Sequence, residues 1–213
     1  MINKSPWQET VGLFPTPVYT TERDLELTSK EKKEIKKIIA GGMRKSGGNI
    51  MSDDSYIFTN NLKKIKKFCD HHIQRYVEEI INPKGNLNFY ITQSWLNVTP
   101  PGGFHHVHCH QNSILSGVFY VSTVEDDKII FEDPNSKVKA ASTWFQEVEF
   151  NIWNSTVWYI PVSNNKLILF PSWLSHRVDS NEKATTDRIS ISFNTFVTGK
   201  LGSKDGLTEL ILK

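Results

Sequence analysis

The hydrophobic positions of the first 85 residues follow a helical spacing in two places. Thr28 and Glu31 have the pattern of a capping box, and apolar residues at helical spacing follow them. The sequence therefore predicts a helix from about residue 28 to 40, where two glycines end it. A second apolar stripe predicts a helix from about residue 60 to 81, with lysines on its solvent-facing side.

The pattern changes after residue 85, where β-branched and aromatic residues dominate and turn signals recur at short intervals. Eight strands are predicted, at 87–98, 104–110, 114–123, 128–132, 143–150, 155–160, 166–170 and 187–197. Residues 11–21 contain two prolines and are predicted to be extended. Two helices followed by closely spaced strands predict a mainly β fold with N-terminal helices, a double-sheet jelly roll with the helices on one face.

Composition narrows the class of protein. The chain has 213 residues, of which 25 are Lys or Arg and 23 are Asp or Glu, so a net charge of +2 gives no strong signal for nucleic-acid binding. No apolar run approaches the ~20 residues that cross a bilayer, and no signal peptide is recognisable, so no membrane partner is expected. With only two cysteines, Cys69 and Cys109, a disulfide scaffold is disfavoured and the cytoplasm is expected.

The length predicts one domain for residues 1–213. In this interpretation residues 1–85 form an extended segment and supporting helices, residues 86–198 form the jelly-roll core, and residues 199–213 form a C-terminal tail. The sequence does not indicate an oligomeric state.

Four of the seven histidines fall within six residues, and this cluster is the main candidate for chemistry. On an extended strand His106, His108 and His110 point to one face, and His105 points to the other. Two imidazoles two residues apart can occupy adjacent positions around a divalent transition metal. His176 follows an apolar strand and is the best candidate for a third ligand, but alternation alone does not decide between His106 with His108 and His108 with His110.

A second candidate feature is a row of polar side chains on the last predicted strand. Arg188, Ser190, Ser192 and Asn194 share one face of this strand, opposite Ile189, Ile191 and Phe193. If that face looks inward, Arg188 is a partly buried guanidinium that needs a carboxylate. An arginine fork with a neighbouring hydroxyl is well suited to binding a dicarboxylate.

Two other interpretations of the histidines compete with a catalytic metal site. The cluster could be a polar strand face without a metal. It could also be a structural zinc site that includes Cys109, although alternation points Cys109 away from His108 and His110, and structural zinc sites usually use several cysteines.

Several segments together resemble the iron(II)- and 2-oxoglutarate-dependent oxygenases, most closely a bacterial and phage-type subgroup. The segments are Leu13–Val18, Asn97–Gly103, His108–Ser113, Leu115–Val121, Ile130–Pro134, Leu169–His176 and Arg188–Asn194. The likeness covers residues 11–20 and about 93–196, in matching order. A single H-x-H motif is weak evidence, whereas the ordered set is specific.

The resemblance implies a distorted double-stranded β-helix, a cupin-like jelly roll, and a site that holds Fe(II) and 2-oxoglutarate. The family's usual ligands are His-x-Asp/Glu and a distal His, so this chain has His110 where a carboxylate usually lies. The implied metal ligands are His108, His110 and His176. The implied 2-oxoglutarate-binding residues are Arg188, Ser190 and Tyr120, and the implied supporting residues are His106, Asn97 and Asn194.

The activity that the resemblance implies is hydroxylation of a substrate C–H bond by O2, with decarboxylation of 2-oxoglutarate to succinate. The substrate is expected to be a protein side chain, such as prolyl, or a small molecule, in a bacterial cell or a phage-infected host. A cupin-like metal enzyme that does not use 2-oxoglutarate is an alternative, which the three histidines support and Arg188 opposes. A non-catalytic metal-binding module is a third possibility.

Overall fold

The structure, a computed structural model, describes residues 10–138 and 149–213. Its N-terminal part contains strand β1 (Tyr19–Glu22), helix α1 (Ser29–Ala40), strands β2 (Met43–Ser46) and β3 (Asn49–Ser52), and helices α2 (Ile57–Asn60) and α3 (Lys63–Tyr76), the last continued by a π-helical turn (Val77–Ile81). The remaining strands are β4 (Asn88–Thr99), β5 (His105–His108), β6 (Leu115–Ser122), β7 (Lys128–Glu132), β8 (Val157–Pro161), β9 (Lys166–Pro171), β10 (His176–Val178), β11 (Arg188–Leu201) and β12 (Leu210–Leu212).

The capping box that the sequence predicts begins α1. The Thr28 N–H donates to Glu31 Oε2 at 2.8 Å, and the Glu31 N–H donates to Thr28 Oγ1 at 3.2 Å. Glu31 also pairs with Arg23, at 3.0 Å between Oε1 and Nη2, and both side chains are almost fully buried. The start of α1 is thus fixed by hydrogen bonds and an ion pair as well as by apolar packing.

The second predicted helix is interrupted near its start. Asn61 is extended and Leu62 is left-handed, with φ of 55°, so the helical conformation is interrupted between α2 and α3. Leu62 is fully buried, and its N–H donates to Glu34 Oε2 at 2.8 Å. Burial of Leu62 and this hydrogen bond offset the cost of a left-handed conformation, which the apolar stripe alone does not reveal.

Two antiparallel sheets form the β core of the described residues. The major sheet has the order β1-β9-β6-β11-β4-β3-β2, with β12 paired to the far end of β11, and the minor sheet has the order β5-β10-β7-β8. This confirms the predicted mainly β fold with helices, a double-stranded β-helix. No helix of the described ranges is long and apolar enough to cross a bilayer.

Each face of the major sheet packs against a different layer. One face lies against α2 and α3 and forms the larger apolar core, which includes Phe58, Ile65 and Phe193. The other face turns toward the minor sheet, and a smaller apolar cluster containing Tyr120 and Phe131 lies between the two sheets. Strand β11 contributes apolar residues to the first face and polar residues to the second.

Most predicted strands agree with the structure to within a few residues, but four strands were not predicted. The hairpin β2–β3 turns at Gly47-Gly48, a hairpin signal in a short and polar stretch. Strands β10 and β12 have only three residues each and show no periodicity. The predicted strand 143–150 lies outside the described residues as far as residue 148, and residues 149 and 150 are not in a strand.

Candidate active site

Three histidines come together where β5 and β10 pair at the end of the minor sheet. His108 and His176 are cross-strand partners, and His110 follows β5 in the chain. One ring nitrogen from each of the three lies within 4.8 Å of the others. The Nε2 atoms of His110 and His176 are 3.3 Å apart. This spacing fits three ligands around a single ion, so the three imidazoles could hold a metal.

Backbone carbonyls set the orientation of two of these rings. His108 Nδ1 lies 2.8 Å from the carbonyl oxygen of His106, and His176 Nδ1 lies 2.9 Å from that of Leu174. Because a carbonyl only accepts, each Nδ1 carries the proton and each Nε2 keeps its lone pair. A hydrogen bond of this kind is the usual support for a metal-binding histidine. The His110 ring stacks on Trp95, with ring centroids 5.9 Å apart.

The three imidazoles are electrically neutral near neutral pH. Burial, together with the charge of His108, lowers the pKa of His110 to about 4 and that of His176 to about 3. Burial also lowers the pKa of His108. Within the described residues the group of three contains no carboxylate. The ring lone pairs can therefore bind a cation, but the group has no negative charge to balance the charge of that cation.

The cluster opens into a cavity between the two sheets, and a buried arginine occupies the other side of that cavity. The cavity has an empty volume of about 500 Å³, part of it open to solvent. Arg188 is 6% exposed, with Nε 3.1 Å from Asp127 Oδ2 and Cζ 5.1 Å from the centroid of the Tyr120 ring. The polar row of β11 therefore faces inward, which is the condition under which Arg188 was expected to need a carboxylate.

The groups around Arg188 have donors that no protein atom uses. The buried Tyr120 hydroxyl has no hydrogen-bond partner in the structure, and burial raises the pKa of Tyr120 to about 12, so it remains a neutral donor. Asp127 pairs with the Nε side of the guanidinium only. An unpartnered buried hydroxyl costs free energy, and a carboxylate placed between Tyr120 and Arg188 would remove that cost.

Asp127 is a candidate site residue that sequence reasoning missed. It is 8% exposed and lies in the turn before β7, where an acidic residue is ordinarily a solvated turn residue. Burial raises the pKa of Asp127, and the charge of Arg188 opposes that shift. No signal in the sequence connects residue 127 with residue 188, because the contact depends on how the two sheets pack.

The other residues predicted for the site lie in three different places. Ser190 is 6% exposed and lines the cavity between Arg188 and the histidines. Asn97 is nearly buried, and its Nδ2 donates to Ser192 Oγ at 2.9 Å. Asn194 hydrogen-bonds the His110 ring and accepts from the Ser116 hydroxyl at 3.1 Å. Asn97 and Asn194 therefore support the wall of the cavity.

The predicted alternation of side chains along β5 was wrong. The pairing of β5 with β10 shifts between the His176–His108 pair and the Val178–His105 pair, and this irregularity turns His105 into the cavity. The side chain of His106 is exposed, its backbone carbonyl bonds the His108 ring, and its own ring lies at the edge of the cluster, 5.6 Å from that of His108 between centroids. A β-bulge leaves no pattern in the sequence of a strand of four residues.

A family comparison agrees with this geometry. The model of a family described as "Putative 2OG-Fe(II) oxygenase" matches residues 93–194, the segment that contains the histidine cluster and Arg188. This match covers just under half of the 213 residues, and over it the chain resembles the 2OG-Fe(II) oxygenases. The predicted superfamily, enzyme class and cofactors, iron(II) and 2-oxoglutarate, agree with the match. A search of the curated proteins found no match.

Several solved structures share the fold. An oxidoreductase of this family from Burkholderia pseudomallei has a TM-score of 0.55 and 9% identity, over 84% of this chain and 83% of its own. A Trichoplax adhaerens prolyl hydroxylase, in complex with a peptide fragment of hypoxia inducible factor, has a TM-score of 0.55 and 13% identity, over 84% of this chain and 83% of its own. HygX from Streptomyces hygroscopicus, with nickel and 2-oxoglutarate bound, has a TM-score of 0.55 and 8% identity, over 84% of this chain and 82% of its own. Likenesses at such low identity establish the fold only.

Proposed function

We propose that this oxygenase is a hydroxylase that converts a substrate C–H bond to C–OH while 2-oxoglutarate is decarboxylated to succinate. One observation carries the proposal. A single cavity contains three neutral imidazoles on one side and, on another, the buried guanidinium of Arg188 beside the unpartnered Tyr120 hydroxyl. The first group suits a divalent cation and the second suits a carboxylate, which are the two ends of a metal-chelating dicarboxylate.

In this proposal His108, His110 and His176 hold the iron. Their ring nitrogens are neutral, lie close together and leave the cavity side of the cluster open for further ligands. When bound there, iron(II) and 2-oxoglutarate supply the activation of O2. The chain contributes ring orientation, through the carbonyls of His106 and Leu174, and shielding by the aromatic rings that surround the cluster.

Arg188, Tyr120 and Ser190 bind the distal carboxylate of 2-oxoglutarate. Asp127 engages Nε of Arg188, which fixes the guanidinium plane, and the Tyr120 ring lies beside the guanidinium. Val118, Ile129 and Phe170 contribute apolar walls to the same cavity. An apolar wall strengthens a charge-assisted hydrogen bond by excluding water.

Three further residues support these groups without contacting the cofactors. The Asn194 amide holds the His110 ring, and the His106 carbonyl holds the His108 ring. Asn97 joins Asn49 and Ser192 in a buried network that stiffens the wall beside the cluster. We assign all three to orientation of the ligand-binding side chains.

A second candidate function is a cupin-like metal enzyme that binds no 2-oxoglutarate. The absence of a carboxylate from the group of three favours it, since a neutral ligand set differs from the usual His-x-Asp/Glu pattern. Arg188 opposes it, because burying a guanidinium costs free energy and a cavity that binds no anion would gain nothing in return.

The substrate is proposed from relatives and not from the cavity. The peptide complex of the Trichoplax adhaerens prolyl hydroxylase supports a protein side chain such as prolyl. HygX, whose structure with nickel, 2-oxoglutarate and hygromycin B is known, supports a small molecule. We further propose that residues 1–213 act as one domain in the cytoplasm of a bacterium or a phage-infected cell, where the exposed thiol of Cys109 stays reduced.

Formation of succinate tests the proposal. Purified protein supplied with iron(II), 2-oxoglutarate and air is expected to release succinate slowly even without the organic substrate, measured by mass spectrometry. The matched control is His176→Ala, which removes a ligand from the minor sheet. Succinate release by the wild type no faster than by His176→Ala would contradict the proposed function.

A further inference from the structure

The cavity contains a fourth histidine, His105, to which the proposed function assigns no role. The shifted register of β5 turns the side chain of His105 into the cavity, beside His108, with the two ring centroids 4.3 Å apart. His105 is not a member of the group of three whose ring nitrogens lie within 4.8 Å of one another. Its location inside the cavity but outside the metal cluster therefore requires a separate explanation.

Strand pairing places His105 on the arginine side of the cluster. His108 pairs with His176, whereas His105 pairs with Val178, two residues farther along β10. Val178 lines the cavity and also adjoins Asp127, the partner of Arg188. A molecule that reached from the histidine cluster to Arg188 would pass the His105 ring.

The chemistry of the ring suits this position. An unprotonated imidazole has one N–H donor and one lone pair, so it can donate a hydrogen bond to an anionic ligand.

The ring nitrogens of His105 have no hydrogen bond to any described residue. The His108 and His176 rings each bond a backbone carbonyl, and the His110 ring bonds Asn194. His105 has ring contacts only, with His106 and His108. Its N–H is thus an unused donor that faces the same space as the Arg188 terminal nitrogens and the Tyr120 hydroxyl.

We propose that His105 binds the co-substrate directly, by donating its ring N–H to 2-oxoglutarate between the iron and Arg188. This inference rests on the proposed function and adds to it a residue outside the metal ligands and the arginine end. In an all-histidine site this donor has a specific value, because it stabilises the anionic ligand without adding a protein charge beside the metal. His105 thus links the two ends of the cavity.

Separate affinities for iron(II) and for 2-oxoglutarate test the role of His105. Both dissociation constants are measured anaerobically, by calorimetry and by the visible iron-to-2-oxoglutarate absorption band, in the wild type and in His105→Ala, His105→Phe and His105→Gln. The phenylalanine variant keeps a packed ring without a donor, and the glutamine variant keeps a donor without the ring. Val107→Ala, an exposed position of the same strand, is the control for general damage to β5.

We expect His105→Ala and His105→Phe to weaken 2-oxoglutarate binding roughly tenfold or more, the loss of a hydrogen bond to a charged ligand. Iron affinity should stay within about twofold of wild type, and His105→Gln should restore part of the 2-oxoglutarate affinity. Wild-type 2-oxoglutarate affinity in His105→Phe would overturn the inference and show that the ring only packs.

Equal losses of iron and 2-oxoglutarate affinity in all three His105 variants would also overturn it, by making His105 part of the metal site. Failure of the proposed function is distinguishable from these results. In that case the wild-type protein itself would bind iron but no 2-oxoglutarate.

Discussion

The two faces of strand β11 both contain buried residues but are opposite in chemistry. On the face toward the helices, Ile191 and Phe193 are fully buried, and Phe193 lies so close to the backbone of β6 that a Cβ atom at Gly117 would stand 2.1 Å from its ring. On the face toward the minor sheet, Arg188 and Ser190 are each 6% exposed. The same strand thus supplies an apolar core on one side and a polar cavity on the other.

The comparison shows that burial by itself does not identify a core. Apolar side chains gain free energy when they leave water, whereas polar side chains lose it unless they find partners. Asn97 and Asn194 find protein partners, but the Tyr120 hydroxyl does not. Substitutions on the helix-facing side should therefore change folding, and substitutions on the cavity side should change ligand binding.

The largest expected effect is on the apolar face. Phe193→Ala removes a fully buried ring that packs 6.0 Å from the ring of Phe58, and should lower the free energy of unfolding by ~3–5 kcal/mol. Urea denaturation followed by circular dichroism measures this loss. The folded fraction should still bind iron(II) as the wild type does. A loss below about 1 kcal/mol would place Phe193 outside the main core, contrary to the comparison.

The second largest effect is expected on the cavity side, where substitution of a metal ligand should weaken iron binding. His108→Ala and His176→Ala should each bind iron(II) at least ~100-fold more weakly, since each removes one of three close ring nitrogens. His106→Ala should retain iron, because its side chain is exposed and its carbonyl remains in place. Loss of iron in His106→Ala with retention in His110→Ala, by metal analysis after gel filtration, would reverse the ligand assignment.

The smallest effect is expected at Ser190. Ser190→Ala removes one hydroxyl from the cavity and no apolar contact, so 2-oxoglutarate affinity should fall by roughly threefold to tenfold. Stability in urea should change by less than about 0.5 kcal/mol. A large loss of stability without a change in 2-oxoglutarate affinity would show that Ser190 serves the fold instead of the ligand.

Much of this arrangement is readable from the sequence because it depends on local periodicity. Alternation along β11 predicted that its polar residues share one face, and the Thr28–Glu31 pattern predicted the start of α1. Both features depend on residues close together in one strand or one helix, where spacing determines direction. The H-x-H spacing with a later histidine left two sets of three open, and the set implied by the family resemblance is the one that converges in the structure.

The features that sequence reasoning missed depend on packing between elements. The shifted pairing of β5 exchanged the directions of His105 and His106, and only the partner strand β10 sets that register. Asp127 meets Arg188 because the turn before β7 in the minor sheet lies over the start of β11 in the major sheet. The left-handed Leu62 depends on its burial and its bond to Glu34. None of these contacts leaves a periodic signal.

The most direct test of the central claim is an anaerobic titration of the iron(II) protein with 2-oxoglutarate, in the wild type and in Arg188→Ala. If the cavity binds a dicarboxylate between the histidines and the guanidinium, a weak visible absorption band should grow to saturation in the wild type. Arg188→Ala should bind iron equally well and show no band at the same concentrations, because its cavity lacks the cation for the distal carboxylate. A wild type that binds iron without ever developing the band, or an Arg188→Ala titration identical to it, would contradict the account.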